Sequence, residues 1–223
     1  MLVINRNVEI KASAEWLKSS FSIFREKPIQ FIVLGLINIL IGLIPGLGAF
    51  LAPLFTAQFA QLTLKIEKRH PVLMSNTFEN FFANKKVLYL GLINLCATTL
   101  LFTLQYIMHD HLGDATSNPL AIQINPISLA YLIPMIILQM SLWLSPLICL
   151  YNEDITPLQA MWLSIKACGF NIITLLIYSL LVIFFTILAI IPFGIGLIIW
   201  LPIMDIVVYF IYKTLFTAQH MKQ

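Results

Sequence analysis

The chain has 223 residues, 60% of them hydrophobic and only 10% charged, with a net charge of +3. A soluble domain is about 45–50% apolar and about 25% charged, so a water-soluble globule of this composition would leave too much apolar surface wet. Intrinsic disorder needs the opposite composition, and so small a net charge does not suggest a nucleic-acid binder, so no nucleic-acid partner is expected.

The segment Met1 to Glu9 has no basic start followed by an apolar core, so no cleavable signal peptide is expected. Ser13 is placed to cap a helix with Glu15 in its first turn. Trp16, Leu17, Phe21 and Phe24 then share one face, and Lys18, Ser22 and Arg25 another. Uncharged stretches follow at Pro28–Leu64, Val87–His109, Ala115–Asn152 and Ala167–Met204. A spanning helix needs about 20 apolar residues, so the first and last are each too long for one crossing. Both are interrupted, by Ile44-Pro45-Gly46-Leu47-Gly48 and by Ile191-Pro192-Phe193-Gly194-Ile195-Gly196, where proline removes a donor and glycine turns freely. Six spans are therefore expected, at 29–44, 47–66, 87–108, 127–150, 171–190 and 195–213, the first short for a full crossing.

All 13 Lys and Arg residues fall on one side of this threading. Arg6, Lys11, Lys18, Arg25 and Lys27 precede span one, and Lys65, Lys68, Arg69, Lys85 and Lys86 lie between spans two and three. Lys166 lies between spans four and five, and Lys213 and Lys222 follow span six. The positive-inside rule then makes both termini cytoplasmic. On that side, Asn76 to Phe82 before Lys85 and Lys86, and the capping box Thr156-Pro157-Leu158-Gln159 before Trp162, Leu163 and Lys166, read as two more amphipathic interfacial helices. Trp16, Lys18, Arg25, Lys85, Lys86, Trp162 and Lys166 are the expected lipid contacts, with the basic groups near anionic headgroups.

Each interfacial helix precedes a hairpin, which points to three units at 12–66, 76–150 and 156–216 within a single membrane domain. Trp16-Leu17 stands before Pro45 much as Trp162-Leu163 stands before Pro192, and Leu34-Gly35-Leu36-Ile37-Asn38 recurs as Leu90-Gly91-Leu92-Ile93-Asn94.

Asp205 is the one charged residue well inside a span, and an aspartate at mid-membrane costs about 2.5–3.5 kcal/mol on insertion scales. Thr56, Gln58 and Gln61 of span two, Asn94 of span three and Gln139 of span four are the polar groups expected to meet it, as a proton or cation site or as a hydrogen-bonded strut. His109-Asp110-His111 with Asp114 forms a weak metal motif on the outer loop, better read as solvated. Cys96, Cys149 and Cys168 lie in apolar stretches and read as core residues. No phosphate loop, His-Glu-x-x-His or Gly-x-Ser-x-Gly motif is present, so no metal, cofactor or enzyme activity is expected.

Trp16 to Pro28, the Ile-Pro-Gly-Leu-Gly turn with Pro53 after it, Leu142 to Leu147, and Ala160 to Asn171 with its Ala-x-x-x-Ser-x-x-Ala-x-x-x-Asn pattern resemble an uncharacterised family of bacterial polytopic inner-membrane proteins. That family is similar to the membrane domain fused to some glycerophosphodiester phosphodiesterases. The resemblance runs from about residue 12 to 216 and implies a bacterial inner-membrane protein with no assigned reaction. Physically, the Ala160/Ser164/Ala167/Asn171 face is a small-residue stripe for close helix packing. The expected fold is an all-α bundle of membrane helices. The expected function is non-enzymatic: a scaffold, an accessory subunit, or a lipid- or envelope-associated component, with the bilayer and a membrane-protein partner or second copy around it. The alternative is a small-solute or ion permease using Asp205.

Overall fold

A computed structural model describes residues 2–44, 46–74, 77–78, 81–112, 126–191 and 193–217, with backbone alone at 108–112, 126–131 and 217. Among the described residues the fold is all-α apart from one two-residue strand pair. In chain order the elements are β1 (Val3–Ile4), α1 (Ala12–Glu26), α2 (Pro28–Gly42), α3 (Leu47–Glu67), α4 (Lys85–Leu112), α5 (Pro126–Trp143), α6 (Ser145–Tyr151), α7 (Pro157–Phe170), α8 (Ile172–Ile190), α9 (Ile195–Leu215) and β2 (Phe216–Thr217). Helix is the form that satisfies backbone polar groups internally where lipid offers no partner. Among the described residues, five segments are long and apolar enough to cross a membrane: α3, α4 over Lys85–Ile107, α5 with α6 over Leu132–Tyr151, α8 and α9. The chain is thus a multi-pass membrane protein by length and composition. α2 is apolar but has 15 residues, or about 22 Å of helix, short of the hydrocarbon thickness.

Both proline-glycine breaks are turns between helices. Gly46 has φ +79 and Gly194 φ +80, each just before the following helix. At the second turn Phe193 also adopts φ +54, strained for an aromatic, and is 99% exposed at the tip. The span expected at 127–150 is divided at Leu144, where Pro146 cannot continue the hydrogen-bond ladder. Ser164 of α7 repairs the break: its Oγ accepts from the Leu144 N–H at 3.3 Å and donates to the Met140 carbonyl at 2.6 Å. Ala160, Ser164, Ala167 and Asn171 are all buried, as the small-residue stripe requires, and α7 packs on α5 and α6.

Two expectations at the helix starts are corrected. α1 begins at Ala12 behind Lys11 without a side-chain cap. Ser13 instead donates from Oγ to the Thr174 carbonyl at 2.9 Å, because burial against α8 outcompetes the local cap. The second interfacial segment is turns rather than helix where it is described, at Thr77, Phe78 and 81–83. Its backbone is held against α3, since the buried Gln58 amide donates to the Thr77 carbonyl. Asn84 then caps α4 by accepting from the Lys86 and Val87 N–H groups at 3.0 and 3.3 Å. The third expectation stands: Thr156 and Gln159 form the reciprocal capping box of α7 with Pro157 at its first position.

The core lies where α3, α6 and α9 meet. Phe59, Leu147, Ile148, Ile203, Ile206 and Val207 are sealed from solvent there, and the ends of the three helices are tied by polar groups. Glu67 accepts from the Tyr209 hydroxyl at 2.7 Å and from the Lys213 ammonium at 2.5 Å. Asn152 donates to the Tyr212 hydroxyl at 3.1 Å, and Tyr151 stacks on Tyr212. The β1–β2 pair, Val3 opposite Thr217 and Ile4 opposite Phe216, joins the two chain ends beside this cluster. At the other end of the bundle Leu40, Leu43, Ile191 and Phe193 are exposed, a surface suited to hydrocarbon rather than water.

Candidate functional site

Asp205 stands at the midpoint of α9, within a helix that reads Ile195–Leu215. Pro202, less than one turn earlier, packs on α2 where that helix has no side chain. A Cβ on Gly35 would lie 2.7 Å from the Pro202 Cγ. This close approach brings the next polar residue on that face of α2, Asn38, to the carboxylate as its hydrogen-bonding neighbour. Tyr178 of α8 lies within electrostatic reach of the carboxylate. Its ring meets Trp16 edge-on with centroids 6.0 Å apart and stacks on Trp143 at 6.3 Å. The Trp16 indole N–H in turn donates to Thr214 Oγ1 at 2.9 Å. Asp205 is only partly covered. The site thus offers one carboxylate with an amide neighbour and a phenol within electrostatic reach. Among the described residues no group of three or more His, Cys, Asp or Glu side chains gathers to hold a metal ion.

The contacts described for the five polar residues expected around Asp205 lie elsewhere, and the neighbour it has is Asn38. Thr56 donates to the Ala52 carbonyl one turn back at 3.1 Å. Gln58 is spent on Thr77. Gln61 lines a groove of about 580 Å³ at the basic end with Asn84, Lys85, Lys86 and Glu153. Gln139 faces an apolar groove of about 370 Å³ along α5, with Ile136, Met140 and Trp143. Asn94 has the most specific task. Pro53 has no N–H, so the carbonyl of Ala49, four residues earlier, loses its helical partner. The Asn94 amide donates to that carbonyl at 2.7 Å. Its Oδ1 is the buried side-chain acceptor left without a partner among the described residues. Asn38 and Tyr178 escaped the sequence reading. The recurring Leu-Gly-Leu-Ile-Asn motif did contain Asn38, but helical phase toward α9 is set only by packing.

Of the expected lipid contacts, Lys18, Arg25, Lys85, Trp162 and Lys166 are exposed, and the Lys166 ammonium sits 5.1 Å from the centroid of the Trp162 ring. Trp16 is corrected: 3% exposed, it faces Tyr178 and Thr214 rather than lipid. Lys86 is half-buried, donating to the carbonyls of Glu153 and Ile155, and ties α4 to the segment before α7. The side chains of His109, Asp110 and His111, and all of Asp114, lie outside the described residues.

No family model matches the chain, and searches of curated proteins and of solved structures find no match.

Proposed function

We propose that this chain is a non-enzymatic, multi-pass component of a bacterial inner membrane, similar to the uncharacterised polytopic family named above, that works as a scaffold or accessory protein at the lipid interface. Six crossings, with α2 as a short first one, put all Lys and Arg residues and both termini on the cytoplasmic side. Three successive units of interfacial segment plus hairpin make up the chain. The contacts support that division. Each interfacial segment packs on the hairpin before it, cyclically: α1 on α8 and α9, Phe81 on Phe55 of α3, and α7 on α5 and α6.

The observation that carries the lipid reading is the α7 surface. Leu158 and Trp162 are 69% and 57% exposed beside Lys166, the pairing of apolar body and cationic rim that an interfacial helix needs. The test is quenching of Trp fluorescence by bromine-labelled lipids in reconstituted vesicles. Trp162→Phe should remove the shallow-quenched component, and an unchanged depth profile would reject the reading.

The permease alternative is favoured by one observation, the partial exposure of Asp205. A flux that Asp205→Asn abolishes while the protein stays folded would establish it.

A further inference from the structure

The N-terminal strap, residues 5 to 11, lies over the corner where α7 ends and α8 enters the membrane. It is fastened there. Asn171 accepts from the Val8 N–H at 3.2 Å and donates to the Asn5 carbonyl at 2.8 Å. Thr174 Oγ1 donates to the Val8 carbonyl at 2.8 Å. Between strap and corner runs an open groove of about 530 Å³. One wall is polar, with Arg6, Lys11 and Glu9; the other is Phe170, Ile172 and Ile173. These three apolar side chains, Phe170 at the end of α7 and Ile172 and Ile173 in the first turn of the apolar α8, are 45%, 45% and 65% exposed.

The Arg6 guanidinium rests 4.6 Å from the centroid of the Phe170 ring. The ring holds the cation through its face and leaves the N–H edges free to donate. Among the described residues neither Arg6 nor Lys11 is ion-paired with a carboxylate. Two cations against one carboxylate leave the polar wall net positive. A bound molecule must therefore offer an anion to the strap and a hydrocarbon surface to α8 at the same time. A free phosphate supplies only the first and a zwitterionic lipid cancels it.

We propose that this groove is a binding site for one anionic phospholipid, its phosphodiester held by Arg6 and Lys11 and its upper acyl chain lying on Phe170, Ile172 and Ile173. The proposal deepens the lipid-interface reading above and rests on it. Its occupant is specific to one corner, whereas that reading needs only a general affinity for the leaflet.

The test uses the full chain purified in detergent, with native mass spectrometry counting retained dioleoyl-phosphatidylglycerol or dioleoyl-phosphatidylcholine. The wild type should retain one phosphatidylglycerol in preference to phosphatidylcholine. R6Q with K11Q should weaken that binding about tenfold, each cation near a lipid phosphate being worth a few-fold. The charge-matched pair K68Q with R69Q, remote from the groove in sequence and lining none of it, should leave it intact. Equal loss in both double variants would reduce the effect to net charge and overturn the site. So would release of the lipid by millimolar inorganic phosphate, which would make it a free-anion site. A phosphatidylglycerol preference that survives R6Q with K11Q, or no preference in the wild type, removes this site alone, while the lipid-interface reading falls only to an unchanged Trp162→Phe depth profile. Unchanged melting of R6Q with K11Q shows that the strap remains docked.

Discussion

Two copies of Leu-Gly-Leu-Ile-Asn, at 34–38 and 90–94, meet their neighbours differently. In both, the glycine admits a proline-bearing helix to a distance that no side chain would allow: Gly35 against Pro202 of α9, and Gly91 against the Phe50 backbone of α3, ahead of Pro53. The asparagine three residues on is then put to separate uses. Asn94 donates to the carbonyl that Pro53 orphaned, while Asn38 is turned to the carboxylate of Asp205. Close approach is the shared device, and what the amide finds there depends on the partner helix. α8 contains no glycine, packs on α9 and α1, and reaches α5 through the Tyr178–Trp143 ring contact.

Breaking the tighter copy should have the largest effect. A Cβ at Gly91 would lie 2.3 Å from the Phe50 carbonyl oxygen, which backbone cannot easily vacate. Gly91→Ala should cost about 3 kcal/mol, the upper end for overpacking, read as the melting midpoint of the detergent-solubilised protein. At Gly35 the obstacle is a ring, so Gly35→Ala should cost about 1–2 kcal/mol and be relieved by Pro202→Ala, a coupling that a double-mutant cycle measures.

The amides separate next. Asn94→Leu should cost about 1–2 kcal/mol, the range for an intramembrane hydrogen bond. Pro53→Ala restores an N–H for the Ala49 carbonyl, so Asn94→Leu should cost less in that background. Equal costs in both backgrounds would show that Asn94 does not act through Ala49. Asp205→Asn, which keeps a hydrogen-bonding partner for Asn38, should change stability by less than about 1 kcal/mol and leave proteoliposome ion flux at its background. Smallest of all is Gly169→Ala. Nothing lies within 4 Å of a Cβ there, and the substitution should stabilise α7 by about 0.5–1 kcal/mol through helix propensity.

What composition and charge could reveal was the solvent, the helical class and the two proline-glycine turns, because hydrocarbon forces long uncharged runs and the chain has few ways to reverse between them. The capping box at Thr156 and the packing stripe from Ala160 to Asn171 were legible too, since both are local patterns with a single geometric meaning. The break at Leu144 was not read, although Pro146 marks it, because the apolar run continues through it. The neighbours of Asp205 were illegible for a different reason. Thr56, Gln58, Gln61, Asn94 and Gln139 are polar residues in spans, as required. Each one, however, answers to a nearby carbonyl, a groove or lipid, and one-dimensional spacing does not give the rotation of one helix against another. Trp16 misled in the same way: its amphipathic face turned toward α8 and α9 instead of the bilayer.

The central claim is that hydrocarbon surrounds these helices and that one face of the membrane holds every cationic segment. Cysteine labelling in sealed vesicles tests it most directly. The native thiols interfere little: Cys149 and Cys168 are buried, and burial pushes the Cys168 thiol up to about 11, against a smaller lowering by its hydrogen bond to Ser164, so it stays protonated at labelling pH. Cys96, expected in the core, is instead exposed, and it is removed by substitution with Ser. Single cysteines at Glu9, Arg69 and Asp154 should react with a membrane-impermeant maleimide from one side, and a cysteine at Phe193 from the other. Labelling of Arg69→Cys from the same side as Phe193→Cys, or of all four from both sides, would contradict the account.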